Sequence, residues 1–183
     1  MNKLAQEAVL VGLTRRLDKQ GSWSGETHIQ KAAYLLRELM DIPFGFDFIL
    51  YKHGPFSFEL RDELSSMRSD RLLERQTQPP PYGPRIATTD RGKELERRFE
   101  RTMSKMGPRL DWIAEQLGDS GVVELERLAT ALWVTREKGA EASVQERAEA
   151  LNDLKPHVTV EAAVESVEEI DRMISESHDV LAA

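Results

Sequence analysis

"RLLERQTQPPPYGPRIATT" (residues 71–89) decides the fold, because two short runs, 71–78 and 84–89, flank a tip that cannot be helical. Three consecutive prolines remove backbone donors and fix φ, and the following Tyr-Gly-Pro continues the turn, so the flanking runs predict the two strands of one hairpin. Thr89 then caps a helix that begins "DRGKELERRFERTMSKM" (90–106), with Leu95, Phe99, Met103 and Met106 on one stripe.

Working towards the N-terminus, "FDFILY" (46–51) predicts a strand leading into a "KHGPFS" turn (52–57). Ser57 caps a third helix over 58–69, whose buried side carries Leu60, Leu64 and Met67. Further back, Leu4, Ala8, Val11 and Leu17 mark an amphipathic first helix over 2–19, ended by "GSWSG" (21–25). Ile29, Ala32, Ala33, Leu36 and Leu39 mark a second helix over 26–40, with Ser24 or Thr27 as its cap and "DIPFG" as its stop. Three helices, a hairpin and a helix is the order of a winged helix-turn-helix domain. The strand at 46–51 departs from the plainest version, in which the short strand follows the first helix.

From Gly107-Pro108 onward the pattern is helical only, and the final helix, capped by Thr159, carries Val160, Val164, Val167, Ile170 and Ile174 inward. The expected class is mainly α (α+β): a winged-helix domain over 1–107 and a helical extension over 108–183, with "TREKGAEASVQE" (135–146) as the most mobile loop.

The 183 residues, 40% hydrophobic, suffice for one good core with a smaller helical appendage. The absence of cysteine excludes disulfides, thiolate metal sites and Cys nucleophiles, and suits a reducing cytoplasm. The start lacks the apolar core of a signal peptide, and no stretch approaches the roughly 20 apolar residues of a membrane span, so a soluble, cytoplasmic chain with no membrane partner is expected. The net charge of −7 hides a split: residues 1–110 hold 19 Lys+Arg against 15 Asp+Glu, a balance of +4, and residues 111–183 hold 6 against 17, a balance of −11. Any affinity for nucleic acid therefore has to come from the first part.

"HIQKAAYLL" (28–36), "FILYKHGPFSFELRDELSSM" (48–67), "IATTDRGKEL" (86–95) and "LKPHVT" (154–159) together resemble the YwgA-like group of small uncharacterised prokaryotic proteins, related to the winged-helix antitoxin modules of the SocA (Panacea) kind. "ELERLATALWV" (124–134) adds a weaker likeness to the C-terminal module of macrodomain antitoxins of the DarG kind. The likeness covers residues 30–160. It implies an interaction or regulatory module, with a toxin or defence protein as partner, and supplies no catalytic residues.

None of the four histidines, His28, His53, His157 and His178, stands four residues from another, and no HExxH pattern occurs, so no metal site is expected. The glycines of "GPFS" and "PYGP" lack a P-loop Lys-Ser/Thr and a GxGxxG spacing, and no carboxylate pair stands out, so neither a cofactor nor an enzyme is indicated. His53 reads as a turn histidine bonded to backbone.

Two candidates stand. The first is a non-enzymatic, antitoxin-like or adaptor-like protein-binding module, whose acidic helix face of Glu161, Glu165, Glu168 and Glu169 meets a basic partner. The second is a DNA-binding winged-helix regulator, bringing a homodimer with it, in which Lys52, His53, Arg61, Arg68, Arg71, Arg75, Arg85 and Arg91 form a basic rim. Glu59, Arg61, Asp62 and Glu63 mix signs on the third helix, so DNA binding is expected to be weak. A continuous positive face over that helix and the hairpin favours DNA; an apolar or negative patch favours a protein.

Overall fold

The structure is a computed structural model that describes residues 1–79, 83–118, 120–139 and 141–182. Eight helices and two small antiparallel hairpins are found among the described residues, in the order α1 (Lys3–Lys19), α2 (Glu26–Met40), β1 (Ile49–Tyr51), β2 (Gly54–Phe56), α3 (Phe58–Ser69), β3 (Leu73–Gln76), β4 (Arg85–Thr88), α4 (Asp90–Arg98), α5 (Glu100–Leu117), α6 (Val122–Lys138), α7 (Val144–Leu154) and α8 (Val160–Ala182). The protein is mainly helical, and every described element after residue 107 is a helix. None of these helices is long and apolar enough to cross a membrane.

The hairpin expected around the prolines is present as β3–β4, paired from Leu73 opposite Thr88 to Gln76 opposite Arg85. Pro80, Pro81 and Tyr82 of its tip lie outside the described residues. Ser57 caps α3 by accepting from the Leu60 amide at 3.1 Å, and Leu60, Leu64 and Met67 are its buried residues, as expected. Thr89 caps α4, accepting from the Gly92 amide at 3.0 Å while its own hydroxyl donates to the carbonyls of Arg71 and Leu72. Gly92 is required there: a Cβ would stand 2.3 Å from the Leu72 carbonyl oxygen, so only glycine lets α4 start this close to β3.

Several expectations are corrected. The "KHGPFS" turn is itself half strand, since Gly54–Phe56 pairs with Ile49–Tyr51 as a second hairpin. Proline lacks the donor that marks a strand, which hides this one. The cap of α2 is Gly25, without a side-chain bond, rather than Ser24 or Thr27. The helix over 90–106 is broken at Phe99. A straight helix from 90 to 117 would run roughly 40 Å, beyond the roughly 25 Å of α1, whereas the break lets α4 and α5 both stay on α1. Residues 107–108, where the two parts are expected to meet, lie inside α5, which carries Pro108 in its interior at the cost of one backbone hydrogen bond. The loop at 135–146 is shorter than expected, since α6 runs to Lys138 and a Ser143/Glu146 capping box opens α7 at Val144.

Rather than amphipathic, α1 is buried over most of Ala5–Thr14. Gly12 lets α5 approach, since a Cβ there would meet the Met103 methyl at 2.6 Å. Buried Glu96 of α4 fastens the arrangement, accepting from Arg15 at 2.8 and 2.9 Å and from Arg16 at 3.1 Å, and Arg16 reaches Asp111 of α5 at 2.7 Å. One continuous core links α1 and α2 to Leu110 and Ile113 of α5, Leu132 of α6, Leu151 of α7 and Ile170 of α8. On α8 the buried stripe is Ala163, Ser166, Val167, Ile170, Met173 and Ser177, so Val160, Val164 and Ile174 lie at its margin.

Candidate functional site

Strand alternation places Ile49 and Tyr51 on one face of β1, and the register sets Phe56 opposite Ile49 on that same face. Phe58, the first residue of α3, closes the group. Ring centroids of Tyr51, Phe56 and Phe58 lie 5.8, 5.5 and 5.1 Å apart, in tilted and edge-on geometries, and the Arg61 guanidinium stands 5.0 Å from the Phe58 centroid. These side chains are not core. Ile49 is 46%, Tyr51 53% and Phe58 40% exposed, making an apolar, aromatic surface at the stretch 49–58.

The platform is held rigidly from beneath. The Gln30 side-chain amide donates to the Ser57 carbonyl at 2.9 Å and accepts from the Ser57 amide at 3.0 Å. Lys31, 1% exposed, donates from Nζ to the Pro55 carbonyl at 2.8 Å. Burial pulls this lysine down to about 8, with Glu126 opposing the shift and Lys155 adding to it. Lys155 Nζ donates to the Lys52 carbonyl at 3.3 Å, which ties the hairpin loop to the end of α7. Gly54, at φ +87°, presses on α6: a Cβ there would stand 2.7 Å from Thr130 Oγ1. His53 Nδ1 lies 3.2 Å from the Glu126 carboxylate, so its partner is a side chain of α6 rather than the expected backbone group.

A second assembly forms where α3, β3 and α4 meet. Arg68, Arg71, Arg75 and Arg91 line a cleft of ≈ 650 Å³ together with Leu73, Glu74 and Thr89. None of the four has an ion-pair partner among the described residues; Arg68 donates to the Ser65 hydroxyl at 2.9 Å. Arg71 sits at φ +59°, in the left-handed position after a helix that glycine usually fills, and the Leu72 amide bonds back to Met67 at 2.8 Å to close the helix end. An arginine held there costs roughly 1 kcal/mol relative to glycine.

Of the expected basic rim, the structure therefore gathers Arg68, Arg71, Arg75 and Arg91, and leaves Lys52, His53, Arg61 and Arg85 elsewhere. Lys52 and His53 belong to the hairpin loop on α6 and α7. Arg61 turns to Asp62 at 3.0 Å and to Phe58, and Arg85 pairs with Asp18. On α8, Glu161, Glu165 and Glu168 are exposed without an ion-pair partner among the described residues, whereas Glu169 is held by Arg172, which pulls its carboxyl below the usual range. His28 is buried, with Nε2 at 3.3 Å from the Ser120 carbonyl oxygen, and burial lowers its pKa. No three His, Asp or Glu residues are grouped so as to hold a metal ion among the described residues.

Gln30, Lys31, Thr130 and Lys155 belong to no catalytic or binding motif that the sequence displays. Gln30 and Lys31 lie off the stripe of Ile29, Ala32, Ala33, Leu36 and Leu39, so periodicity turns them to solvent and gives no signal of their burial. No protein-family model matches the chain, and no curated protein matches it.

Proposed function

We propose that the protein is a non-enzymatic, antitoxin-like or adaptor-like module that grips a partner protein through the aromatic platform of Ile49, Tyr51, Phe56 and Phe58. A winged-helix scaffold, with β3–β4 as its wing, carries the platform, and the acidic helices beyond it form an extension. The observation that carries the proposal is the exposure of Ile49 and Tyr51 on the hairpin and of Phe58 at the start of α3, over a hairpin anchored by Gln30, Lys31 and Lys155. Aromatic residues with an arginine alongside are what interface hot spots are made of, and a fixed surface loses little conformational entropy on binding. Following the resemblance above, the partner is a toxin or defence protein; Glu161, Glu165 and Glu168 offer it a second, acidic contact.

Against a sequence-reading DNA regulator stands the state of α3, whose Arg61 is engaged by Asp62 and Phe58 and whose Glu59 accepts from the Asp47 amide at 2.7 Å. That helix offers base edges few free donors. The proposal is tested with a photo-crosslinking residue placed in turn at Tyr51, at Phe58 and at exposed Asp153 of α7, in the native cell. The first two positions should capture the same protein and the third should not. Capture of that protein equally from all three, or of none, would refute the assignment.

A further inference from the structure

We propose that the cleft lined by Arg68, Arg71, Arg75 and Arg91 takes the phosphodiester backbone of duplex nucleic acid, as a contact that does not read sequence. Four guanidinium groups from the end of α3, the corner after it, β3 and the first turn of α4 share one solvent-open cleft, with Glu74 the only acidic lining residue among the described residues. No ion pair within the described residues consumes them, so their charge is available to a ligand. Elsewhere on α4 the charges are spent: Lys93 on Asp90, Arg97 and Arg98 on Glu94.

The spread over four elements points to a repeated anion. A single phosphate is bound best by donors that converge, usually with backbone amides, but here the Gly92 amide is already taken by Thr89. Among the described lining residues Leu73 is the one apolar side chain, so the flanking residues of a phosphopeptide would have it, the Thr89 methyl and the arginine stems to pack on, and no pocket for a side chain of their own. Guanidinium groups borne by separate elements around one open cleft suit a chain of phosphates. Because Arg61 and Glu59 of α3 are engaged by Asp62 and the Asp47 amide, leaving only Arg68 at its end for the cleft, the contact positions a duplex without distinguishing its bases. The backbone of Arg71 supports a ligand role, since a left-handed corner at φ +59° keeps an arginine where glycine would fit with less strain.

The test is fluorescence anisotropy of a labelled duplex with the full-length protein over a sodium chloride series. The duplex should bind at low salt with a log–log slope of about −0.9 per phosphate contact, hence roughly −3 to −4 for four arginines. Arg75→Ala and Arg91→Ala should each weaken binding and flatten the slope by about 0.9. Arg71→Gly should weaken it likewise while raising the melting temperature, which separates lost contact from lost fold. Arg61→Ala should change nothing, and duplexes of unrelated sequence should bind alike. No binding at low salt, binding unchanged by the three cleft variants, or strong preference for one duplex would overturn the proposal. So would a phosphopeptide that binds the cleft where the duplex does not.

Discussion

Lys31 Nζ lies 2.8 Å from the carbonyl oxygen of Pro55, a cation buried under the hairpin whose outer face is the aromatic platform. The lysine is one anchor of that hairpin and also its least comfortable group, because burial opposes its charge.

That conflict gives the protein a pH dependence of known sign. Lys31 titrates near 8 when folded and near 10.5 when unfolded, so between those values the unfolded chain binds more protons. Stability contributed by Lys31 therefore rises with pH across that window, by at most about 3 kcal/mol, and is flat below it. Urea midpoints measured at intervals between about pH 8 and 10, below the range where the buried Tyr34 phenol brings an opposing fall, should rise in the wild type relative to Lys31→Met. Parallel curves for the two proteins would contradict the burial of a charged lysine.

Gly92→Ala tests the junction of the β3–β4 hairpin with α4. Its Cβ would meet the Leu72 carbonyl oxygen at 2.3 Å and the Thr88 Cγ2 at 3.2 Å, and a backbone atom cannot step aside as a flexible side chain can. Such overpacking costs about 1–3 kcal/mol, enough to lower the denaturation midpoint clearly, even though alanine is the better helix former. An unchanged midpoint would mean that α4 does not begin against β3.

The acidic face of α8 is not uniform. Glu169→Lys removes the ion pair with Arg172 and sets two cations together, and should cost about 1 kcal/mol; Glu168→Lys, at an exposed position with no such partner, should stay within about 0.5 kcal/mol. Thermal melts of the two variants side by side decide whether the face is free, as a partner contact requires, or already committed within the chain.

Local signals carried the fold further than the site. Ser57 and the Leu60, Leu64 and Met67 stripe placed α3 to the residue, and the prolines of 79–81 placed the β3–β4 hairpin, because capping and turn chemistry act over a few residues. β2 escaped because Gly54-Pro55 reads as a turn, and the break at Phe99 escaped because it follows from how α4 and α5 both lie on α1. For the site, sequence supplied the arginines but not their grouping. Arg85 looks as free as Arg75 in the chain, yet Asp18 of α1 takes it. Similarly, Phe56 and Phe58 read as core or hairpin packing, yet Phe58 stands exposed beside Tyr51 over a hairpin that residues distant in sequence hold in place.

The central claim is that Tyr51 and Phe58 bind a partner protein. The most direct measurement is the dissociation constant, by titration calorimetry, between the purified chain and the protein crosslinked at Tyr51, for the wild type and for Tyr51→Ala/Phe58→Ala. Removal of two hot-spot aromatics is expected to cost about 2 kcal/mol or more each, so the double variant should lose at least roughly a hundredfold in affinity while its thermal melt stays close to that of the wild type. A double variant that binds as tightly as the wild type would contradict the claim.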